Sequence, residues 1–272
     1  MTRVPPPVPV REAFGVGHVP EQLPGGFSGT AWRAGDAVLK QVAHADEHAW
    51  LCEVYDAWSA PEVRVPQPLR TAAGDWCHGG WGAHVWLPGE TSPAADDPDW
   101  FRAAHTAFHA AIAGLDPPAF VATREDGWSH GDRVAWDGAE PLGSPETLTL
   151  LARALPLRRS VDLPSQVVHG DLGGNVLRHP GLPPAVIDWP PYVRPIGWAL
   201  AVAAMDAVCF GGADANLLDR WSDEPGWDQL LLRALVYRAA TRGHREAHGV
   251  EPFGSDGYTD GRALDLVRER LR

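Results

Sequence analysis

The chain has 272 residues, of which 44% are apolar and 21% charged, and a formal net charge of −12. That length and balance suit one large folded domain or two small ones and exclude a disordered chain. No run of about 18 apolar residues offers a membrane span, and the negative charge argues against a polyanion such as DNA as partner.

The stretch Met1–Val10 is Pro-rich and lacks an apolar signal core, which predicts a chain that is not secreted. Cys52, Cys77 and Cys209 are odd in number and widely spaced. They point to neither a disulfide framework nor a zinc site and fit a reducing cytoplasm. Of 23 Lys plus Arg residues, 22 are Arg, and Lys40 is the sole lysine. A compositional drift toward Ala, Gly, Pro and Arg converts lysines wherever either cation serves. A survivor marks a place where only a compact ammonium fits, with chance survival as the alternative.

In chain order, a short helix is expected around Val10–Val16, followed by a glycine-rich loop over Leu23–Thr30. Ala31–Arg33 and Ala37–Val42 read as strands around a turn at Ala34-Gly35-Asp36. His44–Ala60 has a helical pattern, with Trp50, Val54, Ala57 and Trp58 on one face and Asp46 and Glu47 in the first turn, where they suit the helix dipole. Val63–Thr71 and Trp81–Leu87 read as further strands. Pro88-Gly89 breaks the pattern, and the expected division is a strand-rich N-lobe over 1–88 and a mainly helical C-lobe over 89–272. Helices are expected at Asp99–Ala113, Pro145–Leu155, Ile196–Cys209, Gly226–Ala247 and Arg262–Leu271, with apolar runs at Val167-Val168 and Ala185-Val186-Ile187 between them.

Those two runs end in the most informative residues. Val167-Val168 leads into His169-Gly170-Asp171-Leu172-Gly173-Gly174-Asn175, and Ala185-Val186-Ile187 leads into Asp188-Trp189. Two carboxylates and an amide oxygen are the hard donors that Mg²⁺ prefers. One of the carboxylates, kept off the metal, can orient a hydroxyl nucleophile. The bland alternative is turn chemistry, since Asp and Asn beside Gly cap loops routinely.

With its glycine-rich loop, Lys40 strand, His-x-Asp loop with Asn, and Ile-Asp-Trp, the chain resembles the aminoglycoside and choline phosphotransferases, as a divergent branch of an actinobacterial type. The resemblance implies an α+β, two-lobed protein-kinase-like fold that binds ATP or GTP with Mg²⁺. It implies Asp171 as the catalytic base or nucleophile-orienting carboxylate, His169 as a brace of the catalytic loop, and Asn175 and Asp188 as Mg²⁺ ligands. Lys40 would pair with the α- and β-phosphates. Its carboxylate partner would be Glu53, whose separation from Lys40 is nearer the family's, or Glu47. Gly25, Gly26 and Gly29 would let the backbone approach phosphates, and the strand ending at Trp86 and Leu87 would present backbone groups to adenine.

Two departures stand out. Asp171 and Asn175 are four residues apart where the family has five, with Gly173-Gly174 available for a tighter turn. Arg194 stands where the family carries a structural Asp after the second motif. No activation segment of the protein-kinase kind is present, so the expected acceptor is a small hydroxylated molecule. The acidic residues Asp96, Asp97, Asp99, Asp126, Asp132, Asp137 and Glu140 would attract a cationic one such as an amino sugar, or simply form a solvated face. Asp256, Asp260 and Asp265 are further candidates for substrate contact. The His pairs at i,i+4 spacing, His44/His48, His105/His109 and His244/His248, lack a third ligand in sequence and read as packed or solvated side chains. The rival functions are a nucleotide-binding pseudokinase and transfer of AMP on the same fold.

Overall fold

The computed structural model describes residues 4–23, 31–250 and 261–272. The chain forms two compact units. One comprises Met1–Glu90 and His179–Ile187, the other Thr91–Arg178 and Asp188–Arg272.

The first unit begins with α1 (Val8–Ala13). It starts earlier than the apolar pattern predicts because Pro, lacking an N–H, is tolerated in a first helical turn. Six antiparallel strands follow: β1 (Glu21–Gln22), β2 (Ala31–Ala34), β3 (Ala37–Gln41), β4 (Pro68–Leu69), β5 (Cys77–His78) and β6 (Trp81–Val85), with helix α2 (Ala45–Asp56) between β3 and β4. Their order is β1-β2-β3-β6-β4, with β5 paired to β6. Period-2 alternation sorts the residues. Trp32, Ala34, Ala37, Leu39, Trp81 and Ala83 join Val10 and Phe14 in a buried cluster. Lys40 therefore points to the opposite face, where its cross-strand partner is Gly82. The expected strand Val63–Thr71 contracts to Pro68–Leu69, because Pro66 and Pro68 have no N–H for a ladder. Arg64 instead bridges Ala185: its N–H donates to the Pro184 carbonyl at 2.8 Å, and the Val186 N–H donates to the Arg64 carbonyl at 2.9 Å.

The second unit is helical. Helix α3 (Pro98–Ala111) is capped by the Asp97 carboxylate, which accepts from the Trp100 N–H, and buries Phe101, Ala104, His105 and Phe108 at helical spacing. Next come α4 (Phe120–Thr123), α5 (Gly127–Trp136), α6 (Pro145–Ala154), α7 (Ile196–Cys209), α8 (Leu217–Arg220), α9 (Trp227–Ala247) and α10 (Arg262–Arg270). Every residue of α7 from Gly197 to Met205 is buried, which makes it the central helix of this unit. Helix α5 was not expected from the pattern. It is capped by Asp126, which accepts from the Ser129 N–H at 2.8 Å, and it lies against α9 through Gly131. A Cβ at Gly131 would sit 2.2 Å from Thr241 Oγ1 and 2.5 Å from the Tyr237 carbonyl, so only glycine permits this approach. Among the described residues, no helix is long and apolar enough to cross a membrane.

Candidate active site

Strand Ser165–His169 pairs antiparallel with Pro191–Pro195, in a register that sets His169 opposite Pro191 and Val168 opposite Tyr192. Val167 and Val168 are fully buried, so the hairpin delivers the polar residues after it to a fixed place. Gly170 crosses directly over Tyr192. A Cβ there would lie 2.2 Å from the ring, which explains a glycine between His169 and Asp171. The Gly170 N–H donates to the Pro190 carbonyl at 3.0 Å and closes the end of the hairpin.

His169 is fully buried, and its Nδ1 accepts from the Asp171 N–H at 3.1 Å. It thus holds the backbone of the loop from within. Behind it, His109 Nε2 accepts from the His169 N–H at 3.2 Å, and His109 Nδ1 donates to the His105 carbonyl at 2.8 Å. One ring nitrogen accepts and the other donates, which is the neutral imidazole. Burial pushes His109 well below its usual range and His105 down to about 4. In the unfolded chain these rings take up protons below about pH 6.5, while folded they resist until far lower. The unfolded state therefore binds more protons in that window, and stability falls as pH falls through it. Denaturant titrations at pH 7 and pH 4 should differ by about 3 kcal/mol on account of His105, and His105→Gln should flatten the slope. The pair at 105 and 109 is a buried brace for the loop.

The loop itself closes on Asn175. Its Nδ2 donates to the Asp171 carbonyl at 2.6 Å, and its N–H donates to the Leu172 carbonyl at 3.0 Å. Gly174, at φ +85, supplies the turn that the shorter spacing requires. Asp188 is exposed and sits at φ +49, the left-handed region that few side chains other than Asp and Asn tolerate. Trp189 anchors it from behind: buried, it donates from Nε1 to the Val168 carbonyl at 3.1 Å and meets Phe108 edge-on.

Two further residues join Asp171 from distant sequence. Arg238, on α9, donates from Nη2 to Asp171 Oδ1 at 2.5 Å, and from Nε and Nη2 to the Asp206 carboxylate at 3.0 and 2.5 Å. Its side chain is 8% exposed and packs over Trp128 and Tyr237. Burial opposes the charge, but Asp206 and Asp171 outweigh it and hold the guanidinium protonated. The only sequence signal for Arg238 was a cation in an otherwise buried helix, which no local pattern links to Asp171.

Arg194 makes a fork-to-fork pair with Asp132, at 2.9 and 2.6 Å, and reaches Asp137 at 2.8 Å. Asp97 binds Arg178, Asp99 binds Arg220, and Asp126 caps α5. Most of the acidic stretch is thus already engaged with arginines and helix ends. Asp265 pairs with Arg153, while Asp256 and Asp260 lie outside the described residues, as do Gly25, Gly26 and Gly29.

The remaining candidates belong to the first unit. Lys40 is half-buried on β3. Glu47 is half-buried in the first turn of α2, whereas Glu53 is exposed. Trp86 and Leu87 follow β6 and are half-buried. The Trp86 N–H donates to the Asp36 carbonyl at 2.8 Å, and the Arg33 guanidinium lies over its ring.

No curated protein matches the chain by sequence. Solved structures do resemble it. An aminoglycoside phosphotransferase from Alicyclobacillus acidocaldarius shares 15% identity at TM-score 0.60, covering 100% of this chain and 96% of that one. A thermostable mutant of the aminoglycoside phosphotransferase APH(4)-Ia, in ternary complex with AMP-PNP and hygromycin B, shares 17% at 0.57, covering 93% and 94%. A choline/ethanolamine kinase family protein from Mesorhizobium loti shares 17% at 0.56, covering 94% and 89%. At these identities the likeness establishes the α+β protein-kinase-like fold. The sequence profile of the phosphotransferase enzyme family matches residues 20–234, and the chain belongs to that family.

Proposed function

We propose that the chain transfers the γ-phosphoryl group of ATP to a hydroxyl of a small molecule. The observation that carries this reading is the bond from Asn175 Nδ2 to the Asp171 carbonyl. With its nitrogen engaged on the loop, the amide has its oxygen as the atom for a cation. This tie between the two residues supports reading Asp171 as the orienting carboxylate and Asn175 as a metal-binding amide.

The donor set fits Mg²⁺: Asn175 Oδ1 and the exposed Asp188 carboxylate are hard oxygens that would hold it together with substrate phosphates and water. When bound, Mg²⁺ supplies neutralisation of the charge that develops on the phosphoryl oxygens. Asp171 would accept a hydrogen bond from the acceptor hydroxyl, align its oxygen for in-line attack and take its proton as the new P–O bond forms and the bond from the γ-phosphorus to the β–γ bridging oxygen breaks, with ADP as the leaving group. Arg238 would hold that carboxylate in one orientation. Lys40 would pair with the α- and β-phosphates, with Glu53 or Glu47 as its partner, and Gly25, Gly26 and Gly29 would let backbone N–H groups approach them. Trp86 and Leu87 would border the adenine. The complex of a fold relative with AMP-PNP and hygromycin B supports a nucleotide donor and a small-molecule acceptor.

Thermal shift tests the donor half. ATP should raise the melting temperature of the wild type much more with Mg²⁺ than without, and Asp188→Asn should abolish that difference. A chain that binds no nucleotide under either condition overturns the proposal. Mass spectrometry of the product then separates phosphoryl from adenylyl transfer.

A further inference from the structure

We propose that His48, Cys52 and His84 form a binding site for a borderline-soft divalent cation, Zn²⁺ above all, on the sheet face that carries Lys40. Their ligand atoms lie within 4.8 Å of one another, and among the described residues no other group of three His, Cys, Asp or Glu side chains does so. His48 and Cys52 are one turn apart on α2, with Cys52 Sγ 3.6 Å from His48 Nε2. Two ligands of a tetrahedral zinc ion, one nitrogen and one sulfur, are separated by about 3.5 Å. This edge of the tetrahedron is therefore already formed, and His84 needs only a small approach to complete a face.

The surroundings are shaped for the cluster. The His48 ring occupies the space where Gly82 has no side chain: a Cβ there would lie 2.2 Å from Cε1 and 2.5 Å from Nε2. Gly82 and His84 alternate onto the same face of β6, so the glycine admits one imidazole beside the other. The two rings meet edge-on, with centroids 5.8 Å apart. The Trp76 carbonyl lies 3.0 Å from His48 Nε2 and steadies the ring until a cation takes that nitrogen. Cys77 shares this face opposite Gly82, but its thiol is outside the convergent trio. Three protein ligands leave a fourth position for water.

Cys52 is completely buried. Zinc binds the thiolate, so binding displaces the Sγ proton, giving a thiolate–zinc bond and one H⁺ released to solvent, and affinity should rise with pH. The sequence pattern paired His48 with His44. The structure pairs it with Cys52 on the same helix and with His84 on a strand. A cation here would pin α2 to β6. None of the three residues has a part in the proposed transfer chemistry, so the site stands independently of that reading.

The test is titration of the metal-stripped full chain with Co²⁺, then with Zn²⁺ in competition. The expected result is one equivalent per chain, with a thiolate-to-cobalt charge-transfer absorption that Zn²⁺ abolishes. Cys52→Ser and His84→Gln should each lower affinity by roughly 100-fold, and Cys209→Ser should leave it unchanged. Circular dichroism of the apo variants checks folding; the half-buried His84 carries the test if Cys52→Ser does not fold. No charge-transfer absorption at stoichiometric Co²⁺, or binding equal to wild type in the folded variants, overturns the proposal.

Discussion

Asp171→Asn should lower turnover by about 10²- to 10⁴-fold while nucleotide affinity stays within a few-fold of wild type. Asparagine has nearly the same shape and preserves the backbone contacts of the loop, in which the 171 N–H meets His169 Nδ1 and the 171 carbonyl meets Asn175. What it removes is the carboxylate that would receive the acceptor's proton. Initial rates at saturating ATP, with calorimetric binding alongside, separate the two quantities. Activity that survives Asn at 171 would show that the carboxylate takes no part in the chemistry, and nucleotide binding without any turnover in the wild type would favour the pseudokinase.

Arg238→Met should be the most damaging single change for folding among the residues around the loop. Breaking a buried ion pair from one side costs about 3–5 kcal/mol, because the carboxylates remain and face each other. Asp206 is 17% exposed and carries most of that cost, while Asp171, at 41%, is partly relieved by solvent. A fall in melting temperature of several degrees is expected. Lysine should not rescue it, since one ammonium cannot replace a fork that reaches three carboxylate oxygens. The double variant Arg238→Met/Asp206→Leu should recover part of the stability, because the uncompensated charge has gone. Its turnover should remain low, because Asp171 has still lost the group that fixes its orientation. Recovery of both would make Arg238 a purely structural residue.

The part of the site that was legible in the sequence is its local part. Val167-Val168 before His169 and the return at Trp189 are short-range patterns, and they mark the ends of a hairpin whose register the structure shows. Arg238 and Asp206 were not legible, because their meeting with Asp171 depends on how α7 and α9 pack. Helix α5 was missed for a related reason: Gly127 and Gly131 lower helix propensity, yet Gly131 is what lets α5 touch α9. In the other direction, the apolar run Val63–Thr71 suggested a long strand that its own prolines prevent.

The return of His179–Ile187 to the first unit has a consequence for synthesis. Arg64 donates to the Pro183 and Pro184 carbonyls and accepts from the Val186 N–H, partners more than a hundred positions downstream. A nascent chain that has emerged only as far as Glu90 lacks this strand partner, so the first unit cannot finish folding until Ile187 has been made. Its edge at Arg64 must wait through the synthesis of α3 to α6 and the Asp171 loop, and a ribosome that stalls before Ile187 would release a chain with that edge bare.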